Sequence, residues 1–106
     1  MMQLQVLLVA GTHGNEINGI WLFEQWEKSP FLINTHGIKT YKVIGNPEAK
    51  KAGKRYIHND LNRSFLEESF SSINSSNLEG IRANQLVQLY GNKGENPCQI
   101  ALDFHT

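Results

Sequence analysis

The chain has 106 residues, with ten lysines and arginines balanced by ten aspartates and glutamates. That length holds one domain with a modest core, and the zero net charge gives no general case for nucleic acid or a membrane as partner. No apolar run is long enough to span a bilayer, "MMQLQVLLVAG" lacks the basic start and cleavage signature of a secretory signal, and the single cysteine excludes an internal disulfide and fits a reducing cytoplasm. That cysteine, Cys98, reads as a small buried hydrophobe.

"LQVLLVA", Leu4 to Ala10, is a nearly continuous apolar run ended by glycine, which predicts a strand buried on both faces. "EINGIWLFEQWEK", Glu16 to Lys28, predicts a helix with an acid in its first turn and a lysine in its last, stopped by Ser29-Pro30. "IKTYKVIG", Ile38 to Gly45, is rich in β-branched and aromatic residues and predicts a second strand. A long basic loop is expected from Asn46 to about Arg63, then a serine-rich connection, "SFSSINSSN". "NLEGIRANQLVQLYG" predicts a helix with Asn77 as N-cap, Leu78, Ile81, Leu86 and Leu89 as its apolar set, and Gly91 as the C′ residue. "CQIALDFHT" ends the sequence as a third strand. This order of elements is that of an α/β domain.

Sites in open α/β sheets form outside the carboxyl ends of the strands. "GTHGNE" follows the first strand, "NPEAKKAGKRYIHNDLNR" follows the second, and "DFHT" closes the third. A parallel sheet would therefore bring three polar clusters to one edge. The glycine-rich turn lacks both the G-K-[ST] ending of a P-loop and the G-x-G-x-x-G spacing of a dinucleotide site. It reads by itself as a tight turn whose glycines supply unusual φ values. His13 and Glu16 within it are spaced to point to one side, and imidazole and carboxylate are both zinc ligands. Two histidines and a glutamate form a catalytic zinc set, which leaves a fourth position for water or substrate. The remaining ligand should lie far along the chain on the same edge. His105 is the candidate, with Asp103 beside it as an orienting carboxylate; taken alone, His105 reads rather as a frayed terminal histidine without a partner. His36 and His58 sit away from predicted strand ends, and His58 reads as solvated.

Lys50, Lys51, Lys54, Arg55 and Arg63 make up half of the lysines and arginines. The lysines read as a solvated face, and Tyr56 is the only aromatic among them, a poor pattern for nucleic acid. Arginine offers a fixed fork that matches a carboxylate. Arg55 and Arg63, with Asn62 beside the second, suit the carboxylates of a small acidic substrate. Asp60 either braces one arginine for that role or forms a purely structural ion pair with it. Glu24, Glu27, Glu48, Glu67, Glu68, Glu79 and Glu95 read as ordinary surface or helix acids.

The ordered motifs "GTHGNE", "NPEAKKAGKRYIHNDLNRSF" and "DFHT" resemble the aspartoacylase and succinylglutamate desuccinylase family, zinc-dependent amidohydrolases with a fold similar to zinc carboxypeptidases. The aspartoacylase branch is favoured by the "NPEA…KRYI…DLNR" run. The resemblance implies an α/β fold, the N-terminal part of a zinc carboxypeptidase-like doubly wound sheet with flanking helices, with residues 1–106 as an N-terminal portion of the catalytic domain. It implies one Zn2+ per chain on His13, Glu16 and His105. Arg55 matches an arginine of substrate binding and transition-state stabilisation, Asn62 and Arg63 match the pair that binds the substrate carboxylate, and Asp60 and Asp103 match supporting acids. The implied reaction is hydrolysis of a small anionic N-acyl amino acid such as N-acetylaspartate. Family members are longer and carry a glutamate general base for which no acid here has a matching context. The isolated chain is therefore expected to be inactive. A succinylglutamate desuccinylase, a peptide-cleaving zinc carboxypeptidase relative and a non-enzymatic partner-binding domain stay open as alternatives. The unpaired edge of the last strand leaves self-association into a homo-oligomer open.

Overall fold

The computed structural model describes residues 4–33, 36–65 and 77–106. Three strands, β1 (Leu4–Ala10), β2 (Ile38–Ile44) and β3 (Ile100–Phe104), form one sheet in the order β2-β1-β3. Both pairings are parallel, so the strand order reverses direction at β1. The helices are α1 (Asn18–Lys28), α2 (Pro47–Ala52), α3 (Leu61–Ser64) and α4 (Leu78–Tyr90), with a 3-10 turn at Pro30–Leu32.

β1 is apolar on both sides because both of its faces are covered. Leu8 and Ala10 join Ile20 and Phe23 of α1 in one core, with Val6, Trp26, Ile44 and Phe104 packed against it. The alternate residues Leu7 and Val9 face the other side, where Leu61, Ala83 and Leu86 form a second core with Val43 and Tyr90. Helices on opposite faces of a parallel sheet make this the doubly wound α/β arrangement expected from the sequence. Full burial of a side chain such as Phe23 or Ile20 contributes about 1.5–3 kcal/mol. β3 lies at an edge; Ile100 and Leu102 are exposed, and Phe104 reaches back edge-on to Phe23 and Trp26.

Several elements differ from expectation. α1 starts at Asn18, with no acid in its first turn. Residues 13–16 instead close a turn in which the Glu16 N–H donates to the His13 carbonyl at 3.1 Å, so Glu16 stands ahead of the helix. The basic loop contains α2 and α3. Asn46 caps α2 by accepting from the Ala49 N–H, Pro47 takes its first turn, and Gly53 ends it in the left-handed conformation. That punctuation was present in the sequence as Asn-Pro and Gly. In α4, Asn77 caps as expected by accepting from the Gly80 N–H. Its buried stripe, however, is Glu79, Gly80, Ala83 and Leu86, while Ile81 is exposed. Gly91 follows α4 in an extended conformation rather than a left-handed one. Cys98 is half-buried, and burial pushes its thiol pKa up. The serine-rich connection lies largely outside the described residues.

Candidate metal centre

The sheet register sets the site. Ala10 pairs with Ile44 on one side and with Phe104 on the other, so all three strands end at one level. Gly11–Glu16, Gly45–Asn46 and His105 therefore leave the sheet on the same edge, as a parallel sheet requires. Gly11 turns the chain with φ +69, which supplies the unusual φ foreseen for this turn. Gly14 serves a different need: a Cβ there would lie 2.1 Å from the backbone of Ala49. The turn is thereby pressed onto α2, and the Gly14 N–H donates to the Arg55 carbonyl at 3.2 Å.

His13, Glu16 and His105 converge, each offering one ligand atom, with these atoms within 4.8 Å of one another. Glu16 Oε1 stands 3.2 Å from His13 Nδ1 and 2.8 Å from His105 Nδ1. The far nitrogen of each ring meets an aspartate. His13 Nε2 lies 3.0 Å from Asp60 Oδ1, and His105 Nε2 lies 3.0 Å from Asp103 Oδ2. With a cation at the centre, a carboxylate behind each imidazole would hold its Nε2–H and leave the Nδ1 lone pair to the ion; without one, Nδ1–H can donate to Glu16. Asp103 is held in turn by the Thr12 hydroxyl, which donates to Oδ1 at 2.9 Å. Two nitrogens and a carboxylate oxygen, each ring backed by an acid, are a donor set that fits a zinc ion with an open position.

The carboxylates Glu16 and Asp60 are held toward their charged forms by the groups around them. Burial pushes the Glu16 pKa up, but hydrogen bonds and charge from His105 and His13 outweigh it, and the net shift is downward. Asp60 behaves alike: burial raises its pKa, and His13, the Asn62 N–H and Arg55 bring it below the ordinary value. Burial lowers the His105 pKa, while Glu16 and Asp103 more than reverse this.

The other expected residues gather on the Asp60 side. Arg55 is exposed, its Nη2 3.7 Å from Asp60 Oδ2. Asn62 and Arg63 lie on the single turn of α3, where the Asn62 N–H donates to Asp60 Oδ1. Both side chains are exposed. Asp60 thus serves His13 as well as an arginine, which the ion-pair reading did not anticipate. A cavity of about 280 Å3 adjoins the centre on the α4 side of the sheet. Its lining is mostly apolar, with Thr12, Asn62 and Asp103 as its polar rim toward the ligands. Lys50, Lys51 and Lys54 are exposed, as expected of a solvated run. His58 is not merely solvated: its Nδ1 accepts from the Leu78 N–H at 3.1 Å.

Comparison with known proteins fits this geometry. The model of the succinylglutamate desuccinylase/aspartoacylase catalytic domain matches residues 2–106. The chain belongs to that family. Within the succinylglutamate desuccinylase/aspartoacylase family, it is 81% identical over 106 residues to a probable aspartoacylase of Prochlorococcus marinus strain NATL2A, covering all of this chain and 35% of that protein. It is 49% identical over 106 residues to a probable aspartoacylase of Synechococcus sp. strain CC9605, covering 34% of that protein. Among solved structures, murine aminoacylase 3 superposes with a TM-score of 0.76 at 30% identity, over 99% of this chain and 36% of the other. The succinylglutamate desuccinylase of Chromobacterium violaceum shares the fold, with a TM-score of 0.73 at 23% identity over 99% of this chain and 34% of the other. The chain thus spans about a third of the length of the relatives it matches. Among the described residues, no helix is long and apolar enough to cross a membrane.

Proposed function

We propose that this chain carries the metal-binding portion of a zinc-dependent amidohydrolase of the aspartoacylase type, and that residues 1–106 form the N-terminal part of a longer catalytic domain. The observation that carries the reading is the convergence of His13, Glu16 and His105, with Asp60 and Asp103 behind the two rings. Zinc at this centre would make water acidic near neutral pH, with a pKa of about 7. Glu16 contributes the anionic ligand; Asp60 and Asp103 orient the imidazoles and keep their lone pairs on the centre.

Arg55 is the residue placed to meet negative charge that develops on the acyl oxygen. It is exposed and stands 3.7 Å from Asp60, the carboxylate that also meets His13. Arg63 and Asn62 hold the substrate's carboxylate, for which a guanidinium fork and an amide donor are suited. Cationic donors beside a metal select a small anionic N-acyl amino acid, with N-acetylaspartate as the favoured substrate. The family resemblance assigns the proton-accepting base to a part of the longer catalytic domain beyond residues 1–106. Glu79, the fully buried acid of α4, has both carboxylate oxygens engaged by N–H donors and does not face the centre. The 81% identity to a probable aspartoacylase favours this branch over desuccinylase or peptidase activity.

The test has two parts. Metal analysis of the chain should give about one zinc, lost in His105→Ala. The full-length protein should hydrolyse N-acetylaspartate faster than N-succinylglutamate and leave peptide C-termini intact. A folded chain without zinc affinity would overturn the ligand assignment; preference for succinylglutamate or a peptide would overturn the substrate.

A further inference from the structure

Glu79 is a buried carboxylate that the metal centre does not use. It lies in the first turn of α4 and is fully buried. Oε2 accepts from Asn46 Nδ2 at 2.8 Å and from the Ile57 N–H at 2.9 Å. Oε1 accepts from the His58 N–H at 2.9 Å and the Asn59 N–H at 3.0 Å. A carboxylate has about four acceptor positions, and all are taken. Three of the donors are consecutive backbone amides in the irregular segment between α2 and α3. The contact is returned, because His58 Nδ1 accepts from the Leu78 N–H of the same helix turn. The fourth donor, Asn46, caps α2 and gives its own N–H to the Gly11 carbonyl at 3.0 Å.

Glu79 therefore joins α4, α2 and the 57–59 backbone at one point. The residue after that backbone is Asp60, which meets His13 Nε2 and faces Arg55. We propose that Glu79 is a positioning residue for the metal centre: its carboxylate sets the 57–59 backbone so that Asp60 stays on His13. This rests on the metal-site reading above. Glutamine at this position would turn an NH2 group toward two N–H donors. It would therefore lose half of the hydrogen bonds while keeping the volume.

The test is a double-mutant cycle on this chain, read by zinc affinity in competition with a chromophoric chelator. Glu79→Gln should stay folded by circular dichroism and speed hydrogen exchange at the Ile57, His58 and Asn59 amides. It should weaken zinc binding about 10- to 100-fold, the range for loss of an orienting partner. In an Asp60→Asn background the same change should cost less than about 2-fold, since contacts in one network are not additive. Unchanged affinity, or full additivity with Asp60→Asn, would overturn the proposal. Should Glu79→Gln unfold, Glu79→Asp carries the same cycle with the charge kept and the reach shortened. NMR of the His13 ring nitrogens without metal separates this proposal from the one it rests on. A wild-type chain that binds no zinc sinks the metal reading, while a His13 signal in Glu79→Gln like that of Asp60→Asn still supports positioning. A His13 signal left as in wild type overturns it.

Discussion

Asp60 reaches His13 across 47 positions of sequence, with Oδ1 3.0 Å from Nε2. Its other oxygen faces Arg55, and its Oδ1 also receives the Asn62 N–H. One carboxylate thus links a proposed ligand, a proposed oxyanion donor and the helix that carries Asn62 and Arg63. Asp60→Asn should lower zinc affinity by about 10- to 100-fold and leave the circular dichroism spectrum unchanged. Equal affinity in wild type and variant would remove Asp60 from the site.

Thr12 makes the matching arm on the other ring. Its hydroxyl holds Asp103, and Asp103 holds His105. Thr12→Val keeps the shape and removes the donor. Zinc affinity should fall, by less than in Asp103→Asn, because Asp103 would keep its contact with His105. A Thr12→Val chain that binds zinc as the wild type does would show that Asp103 is held without the hydroxyl.

Arg55 is expected to act on the reaction and not on the metal. In the full-length protein Arg55→Ala should reduce kcat by about 10²- to 10³-fold, the scale for loss of an oxyanion donor, with zinc content unchanged. Arg55→Lys should recover little, since a point charge replaces a fork. A KM effect with kcat preserved would assign Arg55 to ground-state binding.

The acid limb of stability should report Glu79. Burial raises its pKa, but hydrogen bonds from Ile57, Asn46, His58 and Asn59 outweigh this and the net shift is downward. A folded pKa below the unfolded one, about 4.3, means stability that is present above that value. It is lost as pH falls through it toward the lower folded pKa. Denaturant unfolding of the chain from pH 7 downward should therefore show a steeper loss in wild type than in Glu79→Gln. Parallel curves would mean that Glu79 titrates alike in both states.

Gly14 tests the turn. Its missing Cβ is what lets residues 13–16 lie against α2, because an added carbon would sit 2.1 Å from Ala49 backbone. Gly14→Ala should cost about 1–3 kcal/mol through forced backbone movement. Wild-type thermal stability in the variant would mean that the turn and α2 separate without cost.

The α/β order and the first strand, Leu4–Ala10, were legible in the sequence because they rest on local signals, whereas the third strand is confined to Ile100–Phe104 within "CQIALDFHT". Leu4–Ala10 is apolar but for Gln5 since it is the central strand, and Gly11 marks its end. His13, Glu16 and His105 come together because parallel strands deliver their carboxyl ends to one edge, as the register of Ala10 with Phe104 shows. The helix within "NPEAKKAG" was readable from its Asn cap and Gly stop, but the lysine charge obscured it.

Glu79 and His58 were not legible. In sequence, Glu79 is a first-turn acid like any other, and His58 is a histidine in a charged loop. Only the packing of α4 against the 57–59 backbone turns the first into a buried acceptor and the second into its reciprocal partner. The pairing of Asp60 with His13 likewise arises only in the folded chain, since spacing offers Asp60 a nearer arginine. Local propensity and periodicity determined where strands and helices form. Which polar groups lose water together, and must therefore satisfy one another, was decided by contacts between residues far apart in the chain.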